Sequence, residues 1–130
     1  MKVFTKESDY AIQLLSMLAQ SQAPVSLRQF AERSRISFLF LQRIARKLRA
    51  AGLIEATQGR DGGYRLTRQA EQITLKEIAD AIEGATATVA CLSPSGCPLE
   101  GSCTFPKRYA ALDGEITQLL ERKTLAEFTV

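Results

Sequence analysis

The chain has 130 residues, 45% of them hydrophobic, a formal net charge of +3 and no histidine. This suits one globular domain with a core of its own and excludes a disordered or fibrous chain. No apolar run approaches the roughly 20 residues that cross a bilayer, and MKVFTKESDYA places charge where an export signal has its apolar core, so a cytoplasmic location with reduced thiols is expected.

Ala11, Leu14, Leu15 and Leu18 recur at helical spacing and predict a first helix over about Ser8–Ala19. Residues Gln20–Pro24 break the pattern. Ser26 followed by Gln29 is a capping box opening a second helix, with Leu27, Phe30 and Ala31 on its apolar side. Ser34-Arg35-Ile36 reads as a short turn. Ser37 is then expected to cap a third helix reaching about Ala50, with Gly52 near its C-cap. The inward stripe of this helix is Leu41, Ile44, Ala45 and Leu48; its outward side carries Gln42, Arg43, Arg46 and Arg49. Two helices on so short a turn, the second one basic, form a helix-turn-helix pattern.

Leu53–Thr57 and Tyr64–Thr67 read as strands around the turn residues Gly59-Arg60-Asp61-Gly62-Gly63. A hairpin in this place is the wing of a winged helix, with Arg60 at its tip. Thr74 and Glu77 form a second capping box, opening a short helix with Leu75, Ile78, Ala79 and Ile82 that ends near Gly84. The stretch from Ala85 to Pro106 lacks helical periodicity and holds all three cysteines. From Lys107 to Arg122 a last amphipathic helix carries Tyr109, Leu112, Ile116, Leu119 and Leu120, followed by a tail with Thr124, Leu125 and Phe128. The stripe Leu112, Ile116, Leu119 and Leu120 is too large to leave bare on a small monomer and predicts a homodimer. The expected fold class is thus mainly α with a small β-hairpin: a winged helix-turn-helix plus a long C-terminal dimerisation helix. Within one domain, about 1–84 would bind DNA, about 85–106 would form a sensor loop and about 107–122 would dimerise.

Charge is concentrated. Between Arg28 and Arg68 stand ten basic residues against only Glu32, Glu55 and Asp61, so this segment is strongly positive and the remainder is acidic. That is the electrostatic footprint of a phosphate-binding surface, although a solvated basic face would have the same composition. A helix in the major groove turns its N-terminal residues to the base edges, which puts Phe38, Leu39, Gln42 and Arg43 nearest the bases. Arg46, Lys47 and Arg49 lie further along, at phosphate level. Arg60 suits a narrow minor groove, and Arg28, Ser37 and Gln58 complete the candidate set. The plainer alternatives are core roles for Phe38 and Leu39 and an ordinary turn role for Arg60. A two-fold dimer would bind a pseudo-palindromic operator on double-stranded DNA.

Cys91, Cys97 and Cys103 follow a C-x5-C-x5-C pattern. Three is a poor number for structural disulfides. Structural zinc sites use tighter pairs and four ligands, and iron–sulfur clusters are normally held by four cysteines. Without histidine, a fourth ligand would be a carboxylate, a hydroxyl, water or a small thiol. The alternatives are three uncoordinated thiols in a loop, a disulfide-forming oxidant sensor, or a zinc-stabilised interaction module. An enzyme is disfavoured, since there is no histidine to act as general base and neither a paired-carboxylate nor a phosphate-loop motif.

The runs Ile36–Ile44, Leu48–Ile54 and Gly62-Gly63-Tyr64-Arg65-Leu66, together with the three-cysteine stretch, resemble the bacterial iron–sulfur regulators of the IscR/NsrR type over nearly the whole chain. The resemblance implies a homodimeric winged-helix repressor or activator whose long last helix packs on its partner. It implies a [4Fe-4S] or [2Fe-2S] cluster on Cys91, Cys97 and Cys103 that reports on iron–sulfur status, iron, nitric oxide or redox stress. Two departures follow. Pro106 stands where IscR-type members carry a ligand histidine. Asp9, within Ser8-Asp9-Tyr10-Ala11, stands where NsrR-type members supply an aspartate from the first helix of the partner; its plain alternative is an acid favourable to a helix start. Gln58 also occupies a position before the wing glycines where arginine is common, which would leave minor-groove reading to Arg60.

Overall fold

The computed structural model describes residues 4–59, 62–84 and 105–129. Within them the elements run α1 (Lys6–Gln20), α2 (Leu27–Ser34), α3 (Phe38–Ala50), β1 (Ile54–Thr57), β2 (Gly63–Leu66), α4 (Leu75–Glu83) and α5 (Phe105–Arg122), with 3-10 turns at Ala70–Gln72 and Leu125–Phe128. This is the mainly helical winged-helix class with one antiparallel hairpin.

Local chemistry sets the boundaries. α1 begins earlier than its apolar pattern suggests because the Thr5 hydroxyl accepts the Ser8 amide at 3.2 Å. Both expected capping boxes form, Ser26 with Gln29 and Thr74 with Glu77, and such a cap is worth about 1 kcal/mol. Ser37, by contrast, makes no side-chain capping bond at α3. Arg35 ends α2 in the left-handed region at φ 61°, its N–H donating to the Ala31 carbonyl at 2.9 Å. That geometry turns the chain within three residues from α2 into α3.

The core is built from Leu14 and Leu15 of α1, Leu41, Ile44 and Leu48 of α3, Leu53 and Ile54 at the hairpin, Ile73 and Ile78 around α4, and Leu125, all essentially inaccessible to solvent. α4 packs against α1, α3 and α5. The hairpin pairs Ile54 with Leu66 and Thr57 with Gly63. It is also clamped to the helix-turn-helix: Tyr64 donates its N–H to the Val25 carbonyl at 2.8 Å and accepts the Val25 N–H at 2.9 Å, just ahead of the Ser26 cap. A Cβ on Gly63 would stand 2.5 Å from the Val25 carbonyl carbon, and one on Gly62 would stand 2.5 Å from the Thr57 carbonyl oxygen. The glycine pair is therefore a close-approach device as well as a turn.

Beyond α5 the chain pairs with the start of α4. The Leu75 N–H donates to the Lys123 carbonyl at 2.9 Å and the Leu125 N–H to the Ile73 carbonyl at 2.8 Å. The apolar stripe of the last helix divides: Leu120 is buried in the core of its own chain and Ile116 packs partly on it, whereas Leu112 and Leu119 are 49% and 46% exposed.

Candidate nucleic-acid interface and sensor residues

α3 buries Leu41, Ile44, Ala45 and Leu48 and turns its other side outward. Leu39 is 76% exposed, and Gln42, Arg43, Arg46 and Arg49 are exposed at helical spacing beyond it. This places an apolar residue, an amide and three guanidinium groups on one ridge. Ser37 is exposed at the start of that ridge, and Gln58 is exposed where the wing leaves β1. Phe38 lies between the two roles considered for it: it is half-buried, packs against the core and carries the Arg28 guanidinium over its ring at 4.9 Å. Arg60, Cys91, Cys97 and Cys103 lie outside the described residues.

Lys47 differs from its basic neighbours. It is half-buried, and its Nζ donates to the Ile82 carbonyl at 3.0 Å and pairs with Glu7 Oε1 at 2.9 Å. Arg43 Nε stands 3.6 Å from the same carboxylate oxygen. At the adjoining residue of α4, Glu83 receives the Thr5 hydroxyl and, at 3.3 Å, the hydroxyl of Ser8, which is only 1% exposed. Glu7, Glu83, Thr5 and Ser8 are not conspicuous in the sequence, because their partners lie tens of residues away.

Asp9 is exposed near the start of α1, and its carboxylate accepts the Gln13 side-chain amide at 3.1 Å. Among the described residues no group of His, Cys, Asp or Glu could hold a metal ion, and no helix there is long and apolar enough to cross a membrane.

The Rrf2 family, described as an iron-dependent transcriptional regulator, matches residues 4–130. The chain belongs to the Rrf2 family. Among its relatives is Protein aau3 of Rhizobium meliloti, 36% identical over 102 residues, which are 76% of this chain and 66% of that protein. The chain thus spans slightly less than two thirds of that relative. The HTH-type transcriptional regulator IscR of Escherichia coli is 30% identical over 125 residues, 95% of this chain and 77% of its own length. Three solved structures share the fold of this Rrf2 chain. CymR of B. subtilis, a global cysteine regulator, has a TM-score of 0.77 at 24% identity, covering 96% of this chain and 94% of its own. T. potens IscR has a TM-score of 0.73 at 27% identity, covering 96% and 84%. The oxidized form of Staphylococcus aureus CymR has a TM-score of 0.69 at 28% identity, covering 96% and 93%. The chain has the winged-helix fold, and the family to which it belongs is described as one of transcriptional regulators, not of enzymes.

Proposed function

We propose that this Rrf2 regulator is a cytoplasmic homodimer that binds a pseudo-palindromic operator under the control of an iron–sulfur cluster held by Cys91, Cys97 and Cys103. The observation that carries the DNA reading is the exposed row Leu39, Gln42, Arg43, Arg46 and Arg49 on a helix whose opposite side is buried. Gln42 and Arg43 have the groups that read adenine and guanine edges; Arg46 and Arg49 have the charge that meets phosphate. Arg28, Ser37, Phe38 and Gln58 flank the same surface, and Arg60, next after Gly59 in the sequence, would be the minor-groove contact.

Support for the cluster comes from the family description and from the donor set. Three thiolates suit an iron–sulfur cluster, which normally has four cysteine ligands, so a further ligand must come from elsewhere, and the exposure of Asp9 leaves it accessible to a second subunit. Cys91, Cys97 and Cys103 would hold the cluster, with Asp9 of the partner subunit as fourth ligand. A bound cluster supplies iron that reacts with oxidants and nitric oxide, and a carboxylate oxygen is a harder, weaker ligand for iron than thiolate. The chain's own contribution is to present the thiolates and hold α3 for DNA.

The test is isolation without oxygen, with iron and sulfide counts and a visible spectrum. A brown protein is expected, with the colour lost in Cys91→Ala, Cys97→Ala and Cys103→Ala. Asp9→Ala is expected to keep the fold and alter the spectrum. A colourless, iron-free protein whose operator affinity follows oxidant would instead establish a metal-free thiol sensor, with Cys97 pairing with either neighbour. The likeness to a CymR solved in an oxidized form favours that second reading.

A further inference from the structure

Two facts about the last turn of α4 stand outside the DNA-binding surface. The Ile82 carbonyl, one of the four at a helix C-terminus that lack an intrahelical donor, is bound by the Lys47 ammonium. A cation is favoured there by the negative end of the helix dipole. The next residue, Glu83, is held by the hydroxyls of Thr5 and buried Ser8 on the other side. Consecutive residues of α4 are thereby fastened to α3 and to the start of α1, and Glu7 beside Thr5 closes the circuit back to Lys47 at 2.9 Å. Gly84 follows directly, and the cysteine-bearing stretch begins with the next residue.

We infer that Lys47 is an internal strut rather than a DNA contact, tying the recognition helix to the last turn of α4, and that this junction of Lys47, Ile82, Glu7 and Glu83 couples the cysteine-bearing stretch to α3. The inference rests on the reading of that stretch as the sensor but not on its cofactor. The ammonium already donates to the Ile82 carbonyl and stands as an ion pair 2.9 Å from Glu7 Oε1, both inside the chain. Reaching a phosphate would strip a helix-end carbonyl of its donor and a largely buried carboxylate of the nearer of its two cations, a cost that exposed Arg46 and Arg49 do not bear. The same bonds make the position of α3 depend on the position of residues 82 and 83.

Binding linkage is reciprocal: if the state of the cysteine stretch alters DNA affinity through Lys47, DNA must alter the cysteine stretch through Lys47. The test uses the full chain, reduced and metal-free, as wild type, Lys47→Met and Glu83→Leu, with urea unfolding to confirm the fold of each. Iodoacetamide alkylation of the three thiols is timed with and without saturating operator, and operator affinity is measured across salt concentrations. In the wild type, operator is expected to slow alkylation about fivefold. Lys47→Met is expected to abolish that slowing while keeping the wild-type salt slope, since losing a phosphate contact would shallow it by about 0.9. Glu83→Leu, which cuts the junction on the α1 side, is expected to abolish the slowing as well and decides the matter should Lys47→Met not fold. A salt slope shallower by about 0.9 in Lys47→Met, slowing that persists in the folded variants, or wild-type thiols indifferent to operator would each overturn the strut. Wild-type slowing that both variants lose, in a chain that takes up no iron, would overturn the cluster reading and support the strut.

Discussion

The guanidinium of Arg28 lies 4.9 Å from the centre of the Phe38 ring, joining the first turn of α2 to the first residue of α3. A cation over an aromatic face at a largely exposed site contributes about 0.5–1 kcal/mol, and here it braces a turn whose Arg35 already sits at φ 61°. A double-mutant cycle of Arg28→Ala and Phe38→Ala, read by urea unfolding, is expected to show a coupling of that size. Strict additivity would mean that the contact does not form in solution.

Gln42 and Arg46 should separate sequence choice from affinity. Gln42→Ala is expected to narrow the preference for operator over random DNA by about 1–3 kcal/mol. Arg46→Ala is expected to weaken binding to both alike and to shallow the salt slope by about 0.9. Unchanged preference in Gln42→Ala would show that α3 enters the groove in another orientation.

Gly63→Ala should be costly although it adds one methyl group. The new Cβ meets the Val25 backbone at 2.5 Å, where no flexible side chain can yield, so a loss of about 1–3 kcal/mol is expected in urea unfolding. Gly114→Ala is the control: its Cβ meets nothing within 4 Å among the described residues, and removing a helical glycine should raise stability by about 0.5–1 kcal/mol. Equal stability of the two variants would contradict the clamp between wing and α2.

The divided stripe of α5 predicts two different phenotypes. Leu120→Ala empties a core position that is 6% exposed and is expected to cost about 2–5 kcal/mol. Leu112→Glu with Leu119→Glu alters exposed positions and should leave the folded chain intact while converting dimer to monomer in sedimentation. A wild type that sediments as a monomer, with and without DNA, would remove the basis for both the dimer and the pseudo-palindrome.

Glu77 gives a pH dependence with a definite sign. Burial pushes its carboxyl up, but the Thr74 amide, the Arg68 guanidinium and the Thr74 hydroxyl together outweigh burial and hold it below its ordinary value of 4.5. A carboxyl lowered on folding stabilises the fold above its unfolded pKa, and that contribution is lost as pH falls through the folded pKa. The stability gap between wild type and Glu77→Gln should therefore be open at neutral pH and close on acidification below 4.5. A gap independent of pH in urea unfolding would show that the side chain caps α4 equally well uncharged.

What the sequence disclosed and what it withheld follow the range of the interactions. The capping boxes at Ser26 and Thr74 were legible because both partners lie within four residues, and α3 was legible because Leu41, Ile44, Ala45 and Leu48 repeat at helical spacing. The winged helix-turn-helix followed from those pieces and the Gly62-Gly63-Tyr64 turn. Lys47 looked like Arg46 and Arg49 because composition cannot show that the Ile82 carbonyl, 35 residues on, waits for a donor. Ser37 looked like a cap because its residue type is right, but its hydroxyl forms no such bond. The stripe of α5 looked continuous because one helix can present apolar residues both to its own core and to the outside, and spacing does not separate the two. The first turn of α1 was missed because Thr5 and Ser8 are polar, and their burial depends on Glu83.

The pairing of residues 123–125 with the start of α4 fixes one end of α5 to the body of the chain. α5 is 18 residues long, about 27 Å at 1.5 Å per residue. A stiff helix turns angle into distance: a tilt of about 10° about that end would displace the opposite end by roughly 5 Å at that length. That opposite end, Phe105, stands two residues after Cys103. An angular change at the root among Ile73, Leu75 and Leu125 is thereby carried along α5 towards the part of the sequence that bears the cysteines.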